Sequence, residues 1–287
     1  MFFFKNKHKS LIENVISNNL ESFIENITAE LLSKKFEYEQ FEEFNLLLLA
    51  TYLGKHDFVY YIVNNFQSLI HEYDESGRTA LHLAIRTKNY EIAKMLIENG
   101  ANPDFVADVE DPVSTCLEQS TISSYEIMKL VIENSNNVKS NYHTADYSND
   151  MVNDLSGNLL KILYGGLEMK LPDDADVESE LLIRLKYLKS INCDFNIKFE
   201  LGINGYVHMY TMPIQENHKM ILEYILQNNV NPNVENIFCG YACDYAVSEQ
   251  HEELVPIIQK YGGVFADKEM EEQYNEYLSN GMTFGDL

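Results

Sequence analysis

Between Thr79 and Asn102 the apolar residues follow a helical period twice, with a polar break between the two runs. Leu81, Leu83, Ala84 and Ile85 make the first stripe, and Thr79 stands where a hydroxyl caps a helix start. Lys88 and Asn89 interrupt the pattern. Ile92, Ala93, Met95, Leu96 and Ile97 then make a second stripe along one helix face. Gly100 suits a left-handed helix stop, and Asn102-Pro103 prevents continuation. Neither helix is long enough to be stable alone in water. The pair therefore needs neighbours of the same kind to stack on.

Such neighbours can be traced. Upstream, Ala50-Thr51-Tyr52-Leu53-Gly54 precedes Phe58, Val59, Ile62 and Val63, and Ala50 lies 34 residues before Ala84. Further back, Val15 to Asn19 precedes Leu20, Phe23 and Ile27 and reads as a polar-faced N-terminal cap. Downstream, Glu126 to Asn134 repeats Glu91 to Asn99 almost letter for letter, 35 residues on. Tyr224 to Asn233 and Asp244 to Gly263 follow the same plan. In the middle, Leu188 to Asn196 reads as a closing turn with Asn192 in the glycine slot. Asn192 lies 57 residues beyond Ser135, the preceding slot, so about 23 residues exceed one repeat. Asn136 to Asp154, polar and rich in Asn, Ser and Asp, and Glu168 to Glu180 are the two places to hold that excess.

The unit at 74–104 resembles an ankyrin repeat, whose pattern runs roughly D-x-x-G-x-T-P-L-H-x-A, a second helix, then G-A-D/N. Asp74, Gly77, Thr79, Leu81, His82, Ala84, Gly100, Ala101 and Asn102 fill those positions, and Ala80 replaces the usual proline. The resemblance implies an all-α solenoid of about six to seven helix-turn-helix repeats with short projecting turns and an irregular insertion in the middle. Its segments are a capping repeat at 1–40, repeats at 41–73, 74–107 and 108–140, an irregular repeat at 141–200, and repeats at 201–236 and 237–267. An acidic tail at 268–287 is expected to add one helix around Met270–Tyr277.

Composition narrows the function. The chain has 287 residues, 21 Lys+Arg against 45 Asp+Glu and a formal net charge of −24. Beyond position 200 only Lys219, Lys260 and Lys268 oppose 13 acids. Too few cations are available there to displace the counterions of a phosphate backbone, so direct nucleic-acid binding is not expected, nor docking on anionic lipid. The hydrophobic content of 45% supports a folded core rather than disorder. Cys116, Cys193, Cys239 and Cys243 are too few and scattered for a disulfide framework. No secretory signal or membrane-length apolar run is read, and the expected setting is cytoplasmic.

Catalytic grammar is missing. The sequence contains no G-x-x-x-x-G-K-[ST], no G-x-S-x-G and no H-E-x-x-H, and no cofactor or metal is expected. His82 and His251 occupy positions where the ankyrin resemblance implies structural histidines. Cys239 and Cys243 are too far apart for a C-x-x-C zinc pair and read as packing residues.

What remains is surface. Stacked helix pairs with projecting turns make an extended face that solenoids use to hold other proteins. In the ankyrin register the turn positions include Glu75, Ser76 and Arg78, then Glu110, Asp111 and Val113, then Asn204, Gly205 and Val207, then Ile237, Phe238 and Gly240. Helix positions facing the same side include Tyr52, Arg86, Thr121, Glu216 and Glu249, with Tyr206, Tyr210 and Tyr241 on or beside the downstream turns. The candidate partner-binding set is thus Glu75, Arg78, Arg86, Glu110, Asp111, Tyr206, Tyr210, Glu216, Phe238, Tyr241 and Glu249. The expected function is non-enzymatic protein binding by a monomer, one to one with a basic partner. Its specific form would be an acidic immunity-type inhibitor that blocks a basic toxin such as a nuclease. A general scaffold, or a microbial effector that recruits a host protein, is the alternative.

Overall fold

In the computed structural model, residues 2–106, 115–136, 176–196, 198–200 and 206–279 are described. Two compact units emerge, Met1–Ser140 and Asn141–Leu287. Of the two segments expected to hold the excess, 137–154 and 168–175 lie outside the described residues, as do the turn at 110–113 and the tail beyond Ser279. Val177–Glu180, expected to separate two helices, instead opens a helix capped by Asp176.

The first unit opens with α1 (Phe2–Ile16), α2 (Leu20–Asn26) and α3 (Ala29–Leu32), followed by a hairpin of β1 (Phe36–Tyr38) and β2 (Phe41–Phe44). Three helix pairs follow: α4 (Leu46–Tyr52) with α5 (His56–Asn65), α6 (Ala80–Arg86) with α7 (Tyr90–Glu98), and α8 (Cys116–Thr121) with α9 (Tyr125–Asn134). The leading helices form one row, α4 on α6 on α8, and the trailing helices another, α5 on α7 on α9. A leading helix is enclosed by its neighbours and by its own partner. For that reason Leu46 through Thr51 are all buried, with no polar stripe left over.

The second unit begins with α10 (Val177–Ser190) and a hairpin of β3 (Lys198–Glu200) and β4 (Tyr206–His208). The pairs α11 (Thr211–Gln215) with α12 (Lys219–Gln227) and α13 (Ala242–Ser248) with α14 (Val255–Lys260) come next, and α15 (Lys268–Ser279) closes the chain. Here α10, α12 and α14 stack in one row, while α11, α13 and α15 stack in the other. Both hairpins are antiparallel, with Phe36 opposite Phe44 and Lys198 opposite His208. They are strands in the turns that the helical reading left unpaired.

Most of the helix ends share one closure. Leading helices stop at Gly54, Lys88, Asn217 and Gln250, all with φ between 54° and 65°. The next N–H then returns to a carbonyl five residues back, as in Asn89 to Ala84 at 2.9 Å and His251 to Ala246 at 2.8 Å. Trailing helices stop at Gly100, Asn192, Asn229 and Gly262, again with positive φ. Asn192 therefore does occupy the glycine slot, since asparagine tolerates the left-handed region. Ser135, expected in the same slot, does not: its φ is −75°. Its hydroxyl instead lies 2.5 Å from a carboxylate oxygen of Asp104, and the chain leaves α9 extended.

Four residues after the trailing slot, a side chain ties each closing turn to the next. Asn196 donates to the Asn229 carbonyl at 2.6 Å and accepts from the Asn231 N–H at 3.0 Å. Asn233 repeats the pattern, donating to Gly262 at 2.8 Å and accepting from Val264 at 2.9 Å. Asp104 holds the equivalent place in the first unit and accepts from Ser135 and from the Asn136 N–H.

The histidine slot shows how the last repeat ends. In α6, His82 Nδ1 faces the Thr79 hydroxyl at 2.9 Å and accepts the Thr79 N–H at 3.2 Å, closing the helix start. In α13 the same place holds Asp244, whose buried carboxylate accepts N–H bonds from Tyr241, Ala266 and Asp267. One side chain thus caps α13 and anchors the segment leading into α15. Replacing Asp244 by Ala strands three inward-pointing donors, each loss costing roughly 1–3 kcal/mol. Asp244→Ala is expected to lower unfolding stability by about 3 kcal/mol in denaturant titration and to make the C-terminal helix the first site of limited proteolysis.

Candidate interaction surface

In the first unit the aromatic ring of Phe41 organises the turn side. Phe44 stacks on it at 4.6 Å and Tyr52 meets it edge-on at 4.8 Å. The Arg78 guanidinium lies over the ring at 4.6 Å and that of Arg86 at 5.9 Å. Arg78 also donates from Nε to the wholly buried Asp74 carboxylate at 2.7 Å. A turn residue and a residue from the end of α6 thus converge on one platform.

Carboxylates crowd the edge of this platform. Glu37, Glu39, Glu42 and Glu43 of the hairpin are exposed, and so is Glu75 in the neighbouring turn. The Glu75 N–H reaches the Glu42 carbonyl at 3.3 Å, bringing the two side chains together. A hydrogen bond between the Glu42 and Glu75 carboxyl groups, followed by the Glu42 charge, holds the Glu75 carboxyl above its ordinary range. Arg78, the nearest turn cation, is committed to Asp74. The hairpin acids escaped the sequence reading because the repeat helices were used to find turns. The alternation Phe36-Glu37-Tyr38-Glu39 was the available signal, being strand-like with period two.

In the second unit Phe238 and Ile237 project from the turn before α13, with 55% and 43% of their surfaces exposed. Asn236 shapes this turn. Its Oδ1 accepts from the Phe238 N–H at 3.1 Å, and its Nδ2 donates to Thr211 at 3.0 Å. Gly240 has a φ of +23°, and a Cβ there would lie 2.4 Å from the Asp244 carboxylate, so no larger residue fits. Phe238 stacks on Tyr245 with 5.8 Å between ring centres. Burial, then the Glu249 carboxylate, then Glu216 push the Tyr245 phenol up to about 12. Glu216 is exposed and Glu249 half-buried, at matching ends of α11 and α13.

Other expectations fare differently. Tyr210 does not reach the surface: it is fully buried, its hydroxyl donates to the Val234 carbonyl at 2.6 Å, and its ring stacks on His208. Thr121 and Val207 are likewise buried. Spacing placed these residues near turns without revealing that their side chains face inward. Tyr241 is half-buried, with its N–H given to Asp244. Tyr206 contributes its backbone to β4, while its side chain, like Glu110, Asp111, Asn204 and Gly205, lies outside the described residues. His251 Nε2 faces the Gln215 carbonyl of the preceding repeat at 3.3 Å, a structural contact. Cys243 is buried, which raises its thiol to about 12 and makes it a poor nucleophile. Among the described residues no group of three or more His, Cys, Asp or Glu side chains is placed to hold a metal ion. No described helix is long and apolar enough to cross a membrane.

The surface belongs to a familiar architecture. Residues 5–107 match the family model described as ankyrin repeats (3 copies). No curated protein matches the chain. Among solved structures, the ankyrin repeat domain of Bcl-3, described as a unique member of the IkappaB protein family, aligns with a TM-score of 0.56 at 15% identity, covering 80% of this chain and 97% of that one. The ankyrin repeat protein EF0377 aligns with a TM-score of 0.55 at 18% identity, covering 75% and 97%. An ankyrin repeat domain from Acinetobacter baumannii AYE aligns with a TM-score of 0.54 at 20% identity, also covering 75% and 97%.

The carboxyl pair has a measurable consequence. A raised carboxyl pKa means that the folded chain holds the proton more tightly than the unfolded one, so this group's contribution to stability falls as pH rises through the folded value. Glu75→Gln is expected to raise the melting temperature at neutral pH, with the gain fading as pH drops towards the ordinary value of 4.5. Paired thermal melts of the two proteins across pH check this. Residues 5–107 are thus ankyrin repeats by sequence, a protein-interaction module, and the chain has the ankyrin-repeat fold over most of its length.

Proposed function

We propose that the chain is a non-enzymatic binding protein that captures a basic protein partner on its turn-side carboxylates. The observation that carries this reading is the exposed Glu42–Glu75 pair. The Glu75 N–H bonded to the Glu42 carbonyl sets the two acidic residues side by side, and Arg78 in the same turn is already committed to Asp74. A partner's Lys or Arg placed between them would relieve the repulsion and gain charge-assisted hydrogen bonds. The formal charge of −24 adds long-range steering towards a cationic surface and works against nucleic acid.

The specific form proposed is an immunity-type inhibitor. A cationic protein whose own active site binds nucleic acid, such as a nuclease toxin, presents the charge pattern that this face complements. The chain would bind it one to one as a monomer and cover its basic site. A scaffold with several partners would use the same surface, and no feature of the described turns favours it.

Affinity purification of the tagged chain from its native cell, with mass spectrometry, is expected to return one stoichiometric partner of high isoelectric point. Binding is expected to weaken as salt rises, and Glu42→Lys combined with Glu75→Lys to weaken it by at least tenfold, about 1.4 kcal/mol. Several unrelated partners, or binding indifferent to salt and to the charge reversals, would overturn the proposal.

A further inference from the structure

The turn of the second unit differs in chemistry from that of the first. Where the first unit offers carboxylates around a buried Phe41, the second unit exposes the apolar pair Ile237–Phe238 at the tip itself. This tip is built rather than loose. Asn236 fixes it to Thr211 and to its own backbone, Gly240 admits the close approach of Asp244, and Phe238 rests on Tyr245. A rigid aromatic anchor loses little conformational entropy on binding, which is the property of an interface hot spot.

The polar groups beside this anchor are anionic and unneutralised. Phe238 stacks on Tyr245, Glu249 follows Tyr245 one turn later at the end of α13, and Glu216 ends α11, the leading helix before it; the Tyr245 phenol feels both carboxylates. Among the described residues of this unit the ion pairs are Arg184 with Glu180, Lys219 with Glu253 and Lys260 with Glu223, and none involves Glu216 or Glu249. A purely apolar ligand would leave these carboxylates partly desolvated without compensation, and a purely basic one would leave Ile237 and Phe238 in water.

We infer that Ile237, Phe238, Glu216 and Glu249 form a docking site for a short peptide segment of the partner protein in which an apolar side chain is flanked by lysine or arginine. The apolar residue packs on Phe238 and Ile237, and the cations meet Glu216 and Glu249. This site rests on the proposal that the partner is basic. It adds an apolar anchor, which charge steering alone does not require.

A random short-peptide library is panned on the immobilised full-length protein, and enriched peptides are then titrated by fluorescence anisotropy. Enrichment of sequences with an apolar residue between Lys or Arg residues is expected. Phe238→Ser should weaken the selected peptide by about tenfold or more. Glu216→Gln with Glu249→Gln should weaken it and flatten its salt dependence. Circular dichroism and the melting curve of each variant establish that it is folded, and Phe238→Leu, which keeps the apolar anchor, should retain most of the affinity.

Enrichment of acidic or charge-free peptides, failure to enrich any sequence, or binding that ignores Phe238 would overturn the site. So would a Phe238-dependent dimer in sedimentation, which would make a second copy the occupant. Peptide binding that depends only on Glu42 and Glu75 would overturn this site while leaving the proposed capture of a basic partner intact.

Discussion

The bond between one closing turn and the next is the constraint on which the fold depends. Helices such as Ala80–Arg86 and Thr211–Gln215 are two turns or less and would not persist alone. Their apolar faces require neighbours, but hydrophobic contact is not directional and does not fix how far one pair slides over the next. The amides of Asn196 and Asn233 do fix it. Each uses both its donor and its acceptor on backbone groups of the following turn, a geometry with one register. In the first unit Asp104 does the same as acceptor only, and its partners are a hydroxyl and an N–H instead of a carbonyl and an N–H.

Fixed stacking also brings the turns into line within each unit, and the surface chemistry follows from that alignment. Glu75 meets Glu42 because the turn of one repeat is held against the hairpin of the one before. Asn236 reaches back to Thr211 for the same reason, and so positions Phe238. The residues that face a partner are therefore supported by bonds between repeats rather than by the turn that carries them. Such a surface is stiff where it needs to present charge or an aromatic ring, which limits the ordering cost of binding.

Much of this could be read from the sequence because a repeat states its rule several times. The stripe of Ile92, Ala93, Met95, Leu96 and Ile97, the glycine at position 100 and its asparagine substitutes at 192 and 229 all follow from helix geometry and left-handed stops. The turns were harder. Local sequence shows that Tyr210 lies beside a turn, but its burial depends on the Val234 carbonyl, 24 residues away, accepting its hydroxyl. Asp244 stands in the slot that His82 fills in α6, and its partners Ala266 and Asp267 lie close to the end of the repeat. Ser135 missed the glycine conformation because Asp104, in the previous repeat, offered its hydroxyl a partner. In each case the deciding contact is a hydrogen bond between segments that no local pattern encodes.

Side-chain amides in the closing turns lock neighbouring repeats, and backbone amide hydrogen exchange followed by NMR tests this most directly. The N–H groups of Asn231 and Val264 sit in exposed turns and would exchange rapidly if nothing accepted them. They are expected to be protected to the level of the adjoining helices, with Asn233→Ala releasing Val264 while Asn231 stays slow. Exchange of both at the rate of an unfolded chain, with helices Lys219–Gln227 and Val255–Lys260 still protected, would contradict the claim.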